Sequence, residues 1–423
     1  MTRPSRTFQS FVSAVVVVLA SISARSAGAA TEEELESRLD ALTAEVQTLR
    51  AELDTLRAES PSQPAAVAVT GPAERPKLQW SGYGELNYRR PADDASATTA
   101  DVGRFVLGAS YRFDDRTTFV SELEIEHAVS SAEDPGEVEI EQAYIERRHG
   151  DRLFAKYGLF LMPVGLINEN HEPTRYYGVF RNLVETAIIP TTWREGGVAF
   201  QGTTDNGLRW DAGVSTGFKL ASWDAASREG LEEPLGSIHQ ELALASAGDL
   251  SVFAAVNYTG ILGLRVGGSV FTGDAAQGQP GFDDNRITLW EGHARWTPGN
   301  WQLSALTARG RISNAGAVNL TLVGNPALIP DEFYGRYVEG AYRIGVRPGA
   351  TLAPFLRYEV VNTASSYAFL GAGLTPDALR AERAVAAGVN FTFANGVVLK
   401  ADYVDFRRDG ANNRLALGVG YEF

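Results

Sequence analysis

The chain has 423 residues, 44% of them hydrophobic, a formal net charge of −14 and no cysteine. The length allows one large domain or two ordinary ones, the missing cysteine rules out disulfide frameworks and thiolate metal sites, and the acidic balance argues against nucleic acid as a partner. Beyond the N-terminal segment no run of about eighteen apolar residues occurs, so a helical membrane protein is excluded and a closed barrel is the only other way to cross lipid.

Residues 1–30 have the layout of a secretory signal. Arg3 and Arg6 precede an apolar core from Phe11 to Ile22, and Ala27-Gly28-Ala29 offers a small-residue cleavage site. Residues 31–60 change character. Leu35, Leu39, Leu42, Val46, Leu49, Leu53 and Leu56 alternate spacings of four and three, the seam of a helical coiled coil. Glu32, Glu33 and Glu34 suit the positive end of its macrodipole, with Thr31 as N-cap. Self-association through residues 35–56 is the expectation, and one amphipathic helix lying against the following domain is the alternative. Pro61, Pro64, Pro72 and Pro76 make residues 61–76 a stiff linker.

From residue 77 to 423 the period changes to two. Leu78, Trp80, Leu86 and Tyr88 alternate with Gln79, Ser81, Tyr83, Glu85, Asn87 and Arg89, the pattern of a strand with one greasy and one wet face. Similar segments recur to the last residues, where Leu415, Leu417, Val419, Tyr421 and Phe423 alternate with Arg414, Ala416, Gly418, Gly420 and Glu422. About sixteen such strands (16–18) are expected. Short turns such as Asp114-Asp115-Arg116, Gly150-Asp151 and Ala394-Asn395-Gly396 alternate with long connections such as 163–192 and 218–249. That alternation, with 43 glycines and aromatic residues at strand ends, predicts an all-β transmembrane antiparallel β-barrel preceded by the coiled coil. A soluble β-sandwich or propeller is the competing architecture. An even strand count places both ends of the barrel, and the coiled coil with them, in the periplasm.

The long segment after Lys156 carries a further signal. Gly158-Leu159-Phe160-Leu161-Met162-Pro163-Val164-Gly165, the later Phe180-Arg181, and Pro190-Thr191-Thr192-Trp193-Arg194-Glu195-Gly196-Gly197 resemble the phosphate-selective porin O and P family of outer-membrane porins. The resemblance implies that 163–192, the third external loop, folds into the lumen as a constriction, and that the protein is a homotrimer held through its barrel walls. The terminal Phe423 resembles the C-terminal signature read by the bacterial barrel-assembly machinery. Apolar residues within 163–192 agree with an inward fold, since a long loop rich in Phe, Tyr, Val and Ile is poorly suited to water. Lys156, Arg175, Arg181 and Arg194 are the candidate constriction cations and Glu169, Glu172 and Glu185 the candidate anions. An alternative is that these charges pair with one another to hold the loop.

Further bases fall on the lumen side of the alternation: Arg104, Arg112, Arg209, Arg265, Arg295, Arg343, Arg357 and Lys400. Inward acids, among them Glu122, Glu124, Glu141, Glu359 and Asp402, are as plentiful. The mixture departs from the basic ladder that phosphate capture would need. His127, His149, His171, His239 and His293 are scattered without metal-ligand spacing. The reading is therefore a porin of the bacterial outer membrane, not an enzyme, with no metal and no cofactor. Its partners would be outer-membrane lipid and small hydrophilic solutes or anions, with no nucleic acid. A phosphate- or oxyanion-selective porin and a structural or adhesive protein with a plugged barrel are the alternatives.

Overall fold

A computed structural model describes residues 77–423 except 132 and 283, together with Ala44. The expected signal segment, coiled coil and linker lie outside the described residues. Sixteen antiparallel strands close into one barrel. They are β1 (Leu78–Pro91), β2 (Thr99–Arg112), β3 (Thr117–Glu126), β4 (Val138–His149), β5 (Leu153–Leu161), β6 (Arg194–Thr203), β7 (Leu208–Ser215) and β8 (Ser251–Tyr258). They continue with β9 (Leu264–Asp274), β10 (Arg286–Trp296), β11 (Trp301–Ile312), β12 (Glu332–Tyr342, resuming as Ile344–Arg347), β13 (Ala350–Ser366), β14 (Glu382–Ala394), β15 (Val397–Phe406) and β16 (Arg414–Glu422). Both pieces of β12 pair with β13, so the break at Arg343 does not add a strand to the circuit.

Every strand pairs with its sequence neighbours, and β1 pairs with β16 to close the ring. The final residue completes that seam. Gly82 N donates to Phe423 O at 3.1 Å and Phe423 N donates to Gly82 O at 2.8 Å. Closure removes the free edges that an open sheet of this length would expose. Short turns and long connections alternate as the sequence predicts.

The period-two pattern sets which side chains face out. Leu86, Phe105, Leu123, Val338, Leu356 and Leu417 are exposed on the outer wall, while Tyr83, Arg104, Glu124, Glu359 and Asp402 are buried inside. The inner wall is not uniform. From β8 to β12 it carries Phe253, Phe271, Leu289, Leu306, Phe333 and Tyr337, all buried, whereas β1–β4 and β13–β16 turn charged and polar residues inward. These two halves receive opposite faces of the β5–β6 loop.

Candidate functional site

Pro163 ends β5, because it has no N–H to continue the ladder. Gly165 then turns with φ 78°, and a Cβ there would lie 2.4 Å from Glu185 Oε1. The close approach lets that oxygen accept from Leu166 N at 2.6 Å and Ile167 N at 2.8 Å. Glu185 Oε2 accepts from Asn182 Nδ2 and from Tyr337 Oη on β12, each at 2.9 Å. Glu185 is thus a buried acceptor for four donors, two of them main-chain. Asn168 closes the loop's neck, donating to Met162 O and Trp193 O at 2.8 Å and accepting from Trp193 N at 2.7 Å. The apolar side of the loop, with Leu166, Val184, Ile188, Ile189 and Trp193, packs into one cluster with the apolar half of the wall. Trp193 meets Phe271 edge-on at 4.7 Å between ring centres.

The loop then crosses to the charged half. Near its start, Tyr83 Oη lies 2.5 Å from His171 Nε2 and donates to Glu141 Oε2 at 2.7 Å. Arg104 Nη2 donates to His171 O at 2.6 Å while its Nε holds Glu85 at 3.0 Å. Tyr176 Oη donates to Glu85 at 2.8 Å, and Lys400 Nζ sits 3.6 Å from the Tyr176 ring centre. Farther along, Arg357 Nη1 donates to Tyr177 O at 3.0 Å, Val179 N donates to Asp402, and Leu183 N donates to Glu359 at 2.6 Å. The loop therefore lies inside the barrel and touches both halves of its wall. Burial holds the His171 imidazole below its usual range, against the pull of Glu141.

The candidate charges divide by what they hold. Glu185 and Arg194 are almost fully buried, Arg194 between Glu139 and, at 2.9 Å, Glu241. Glu169 pairs with Arg209 at 2.8 Å, and Arg209 also holds Asp211 at 3.0 Å. Arg175, exposed, pairs with Glu422 at 3.2 Å. Lys156 Nζ lies 5.1 Å over the Tyr144 ring, and Glu172 is half-buried beside His171. On the wall, Arg265 Nε donates to Asn257 at 2.8 Å and Arg295 Nε to Ser304 at 3.2 Å. Arg343 reaches Gly299 O at 3.5 Å, and Arg112 lies at the turn end of β2.

A cavity of about 390 Å³ opens between the loop and β1–β3, lined by Glu85, Arg104, Glu124, Arg181, Thr192 and Arg414. A second of about 390 Å³ adjoins it, sharing Asn87, Asp101 and Phe180 and adding Arg89 and His127. Arg181 donates to the hydroxyls of Thr191 and Thr192, and burial lowers its guanidinium below the usual range. Arg414 is held between Phe180 and Phe406, its guanidinium carbon 5.2 and 5.3 Å from the ring centres. Among the described residues neither arginine has a carboxylate within ion-pair distance. Arg414, Arg89, Asp101 and His127 were not singled out by the sequence. The signal for Arg414 is its row: the next inward residues, Ala416, Gly418 and Gly420, are small to admit the loop, a Cβ on Gly420 meeting Pro173 at 2.6 Å.

No protein-family model matches the sequence. An uncharacterized protein of Aquifex aeolicus (strain VF5) is 28% identical over 351 residues, 81% of this chain and 79% of its own. Among solved structures, OmpF of Salmonella typhi is similar with TM-score 0.57 and 15% identity over 82% of this chain and 97% of that one. DcaP of Acinetobacter baumannii, an outer membrane channel, gives 0.52 and 15% over 82% and 97%. A loop-deletion variant of OmpT, an outer membrane protein of Vibrio cholerae, gives 0.51 and 14% over 82% and 99%. At these identities the likeness is one of fold: the chain forms a porin-like sixteen-strand β-barrel.

Two predictions follow from this geometry. Glu185→Ala strips four donors of a buried acceptor and should cost on the order of 3 kcal/mol or more, read as a lower urea midpoint for the folded barrel in detergent. Glu185→Asp should recover part of that loss. The second concerns His127, whose Nδ1 lies 2.8 Å from Asp101 Oδ2. That hydrogen bond raises the imidazole above its usual 6.5 despite partial burial. A group whose folded value is raised contributes stability in full below about pH 6.5, and loses it as pH climbs through the raised value. Deprotonation also leaves Asp101 uncompensated at the cavity. Cation preference in a salt gradient should therefore increase over that rise in pH, and His127→Gln should flatten the step.

Proposed function

We propose that the protein is a porin of the bacterial outer membrane, conducting ions and small hydrophilic solutes passively through the lumen beside the inward-folded loop. The observation that carries this reading is the combination of a closed barrel, exposed apolar side chains around its outer wall, and a polar cavity on the inside. Such an outer wall is unstable in water and suited to hydrocarbon, where a closed sheet leaves no main-chain group unpaired. Passive conduction needs neither cofactor nor turnover, and on this reading the protein is not an enzyme. A homotrimer inserted through the barrel-assembly machinery, with residues 31–60 as a periplasmic coiled coil, completes the proposal.

A second reading, an oxyanion-selective channel of the phosphate-selective porin O and P kind, is favoured by one observation. Arg181 and Arg414 border the same cavity with guanidinium donors not engaged by carboxylates, and guanidinium is well matched to tetrahedral oxyanions. Against it stand Glu126 and Asp101, the latter paired with His127, which line the same cavity. This arrangement favours a transverse field over a uniform basic funnel.

Single-channel recording in a salt gradient tests both readings. A diffusion porin should give a conducting channel with modest selectivity, and Arg181→Ala with Arg414→Ala should move the reversal potential toward cations. Anion current blocked by millimolar phosphate would favour the oxyanion channel. Absence of conductance from a folded, inserted protein would overturn both and leave a structural role with a plugged lumen.

A further inference from the structure

The outer wall of β10–β14 departs from the greasy pattern of its surroundings. Arg309 and Arg311 on β11, Arg336 on β12 and Arg383 on β14 are all exposed. Their inward neighbours fix their direction. Ala308 and Phe333 pack in the core cluster, Ala384 is buried inside, and a Cβ on Gly335 would meet Val184 of the lumen loop at 2.9 Å. The four arginines therefore point away from the lumen. In register, Thr307 opposes Arg336, Arg336 opposes Val360, and Val360 opposes Arg383. Strands lie about 4.8 Å apart, which puts the Arg336 and Arg383 backbones about 10 Å from each other. One step nearer the long loops, Trp290 opposes Arg309 and Arg309 opposes Tyr334. The acids nearby are Glu332, 2.5 Å from Arg309 Nη2, and the half-buried Asp331.

Beside Arg336 the wall is recessed. Gly292 and Ala294 on β10, Ala305 and Thr307 on β11, with Val338 and Tyr358 beyond, line a groove of about 560 Å³. Small side chains on two adjacent strands create the recess, and Arg336 forms part of its rim. Val360, between two exposed arginines, is only 5% exposed although it faces out, in keeping with arginine stems lying across apolar surface while their charged ends reach for a polar layer.

We propose that this face binds a lipid with more than one phosphate and several acyl chains. Its phosphates would lie on Arg309, Arg336 and Arg383, and one acyl chain in the groove. Charge and shape both select this occupant. Long, flexible arginine side chains rising from backbones about 10 Å apart can reach separate phosphates of one headgroup by paired N–H···O bonds, and Trp290 and Tyr334 beside them suit the boundary between headgroup and hydrocarbon. Arginines on a lipid-facing wall are costly toward the bilayer midplane and tolerated near its surface. On Arg336 and Arg383, which among the described residues have no carboxylate within ion-pair distance, a phosphate partner therefore removes a penalty that a neutral lipid leaves in place, while on Arg309 it adds to Glu332. The inference rests on placing the barrel in the outer membrane.

Native mass spectrometry of the full-length protein in detergent, titrated with diphosphoryl lipid A, tests it, with phosphatidylcholine as control. Wild type should retain lipid A selectively and release it as NaCl rises from about 0.1 to 1 M. Arg309→Gln/Arg336→Gln/Arg383→Gln should weaken retention more than about tenfold. Ala305→Trp should weaken it with every charge in place. Equal retention by wild type and the triple variant, or by wild type and Ala305→Trp, overturns the proposal. So does an altered oligomeric state with unchanged lipid retention, which assigns the face to contact between copies. If a variant does not fold, salt-insensitive binding by wild type still decides against the site. The same wild-type preparation is placed in planar bilayers: conductance without lipid A retention refutes this inference alone, and absence of conductance counts against the channel reading.

Discussion

A polypeptide segment inside a closed barrel must satisfy its own main chain, because the wall has spent its N–H and C=O groups on neighbouring strands. Side chains of the wall and of the segment itself supply what is missing. Asp402 and Glu359 accept from Val179 N and Leu183 N, Arg104 and Arg357 donate to His171 O and Tyr177 O, and Asn390 both accepts from Gly178 N and donates to Tyr176 O. Glu185 plays that part within the loop. Leaving such groups buried and unpaired would cost roughly 1–3 kcal/mol each, so the loop's position depends on this distributed set of anchors.

The two halves of the inner wall divide the work. Along β8–β12 the loop is held by contact area: Phe253, Phe271, Leu289, Leu306 and Phe333 give its apolar face a surface to dry against. Along β1–β4 and β13–β16 it is held by direction, since hydrogen bonds to named main-chain atoms permit one register. Apolar burial supplies adhesion without specificity, and the polar anchors supply specificity at a desolvation cost that only pairing offsets. Glycines on β16 make room where the loop passes closest: a Cβ on Gly418 would sit 3.0 Å from Val179.

The barrel was legible in the sequence because one rule, period two, governs every strand, and because turns and loops alternate independently of it. The first and last alternating stretches, residues 78–89 and 414–423, are β1 (Leu78–Pro91) and β16 (Arg414–Glu422) to within two residues. The inward course of residues 163–192 was what the family resemblance implied, and its apolar content agreed with it. The division of the inner wall was not legible: residues 252–256, Val-Phe-Ala-Ala-Val, are apolar throughout, so alternation does not tell that Phe253 faces a packed interior and Val252 the outside. Period two says which residues share a face and is silent on what that face meets. The roles of individual charges were hidden for the same reason. Arg194 and Arg181 stand in similar contexts along the chain, but one is enclosed by Glu139 and Glu241 and the other borders a cavity.

On the channel reading proposed above, counting lumen-side charges misjudges what a solute would meet. Arg104, Arg209 and Arg357 each hold a carboxylate, and Arg104 and Arg357 also hold loop carbonyls. Their fields are largely cancelled at the distance of a passing ion, because a close pair acts as a dipole whose potential falls faster than that of a single charge. The charges that act at range are those left over after the loop has been anchored. At the cavity these are Arg181 and Arg414 on the loop and β16, with Glu126 on β3 and, once His127 has lost its proton, Asp101 on β2. The acidic total of the chain has little bearing on that local balance, since exposed charges beyond about 10 Å are screened in salt. On that reading selectivity is set by the remainder of a structural pairing scheme, so moving one anchor pair alters the field as surely as changing a residue that lines the opening.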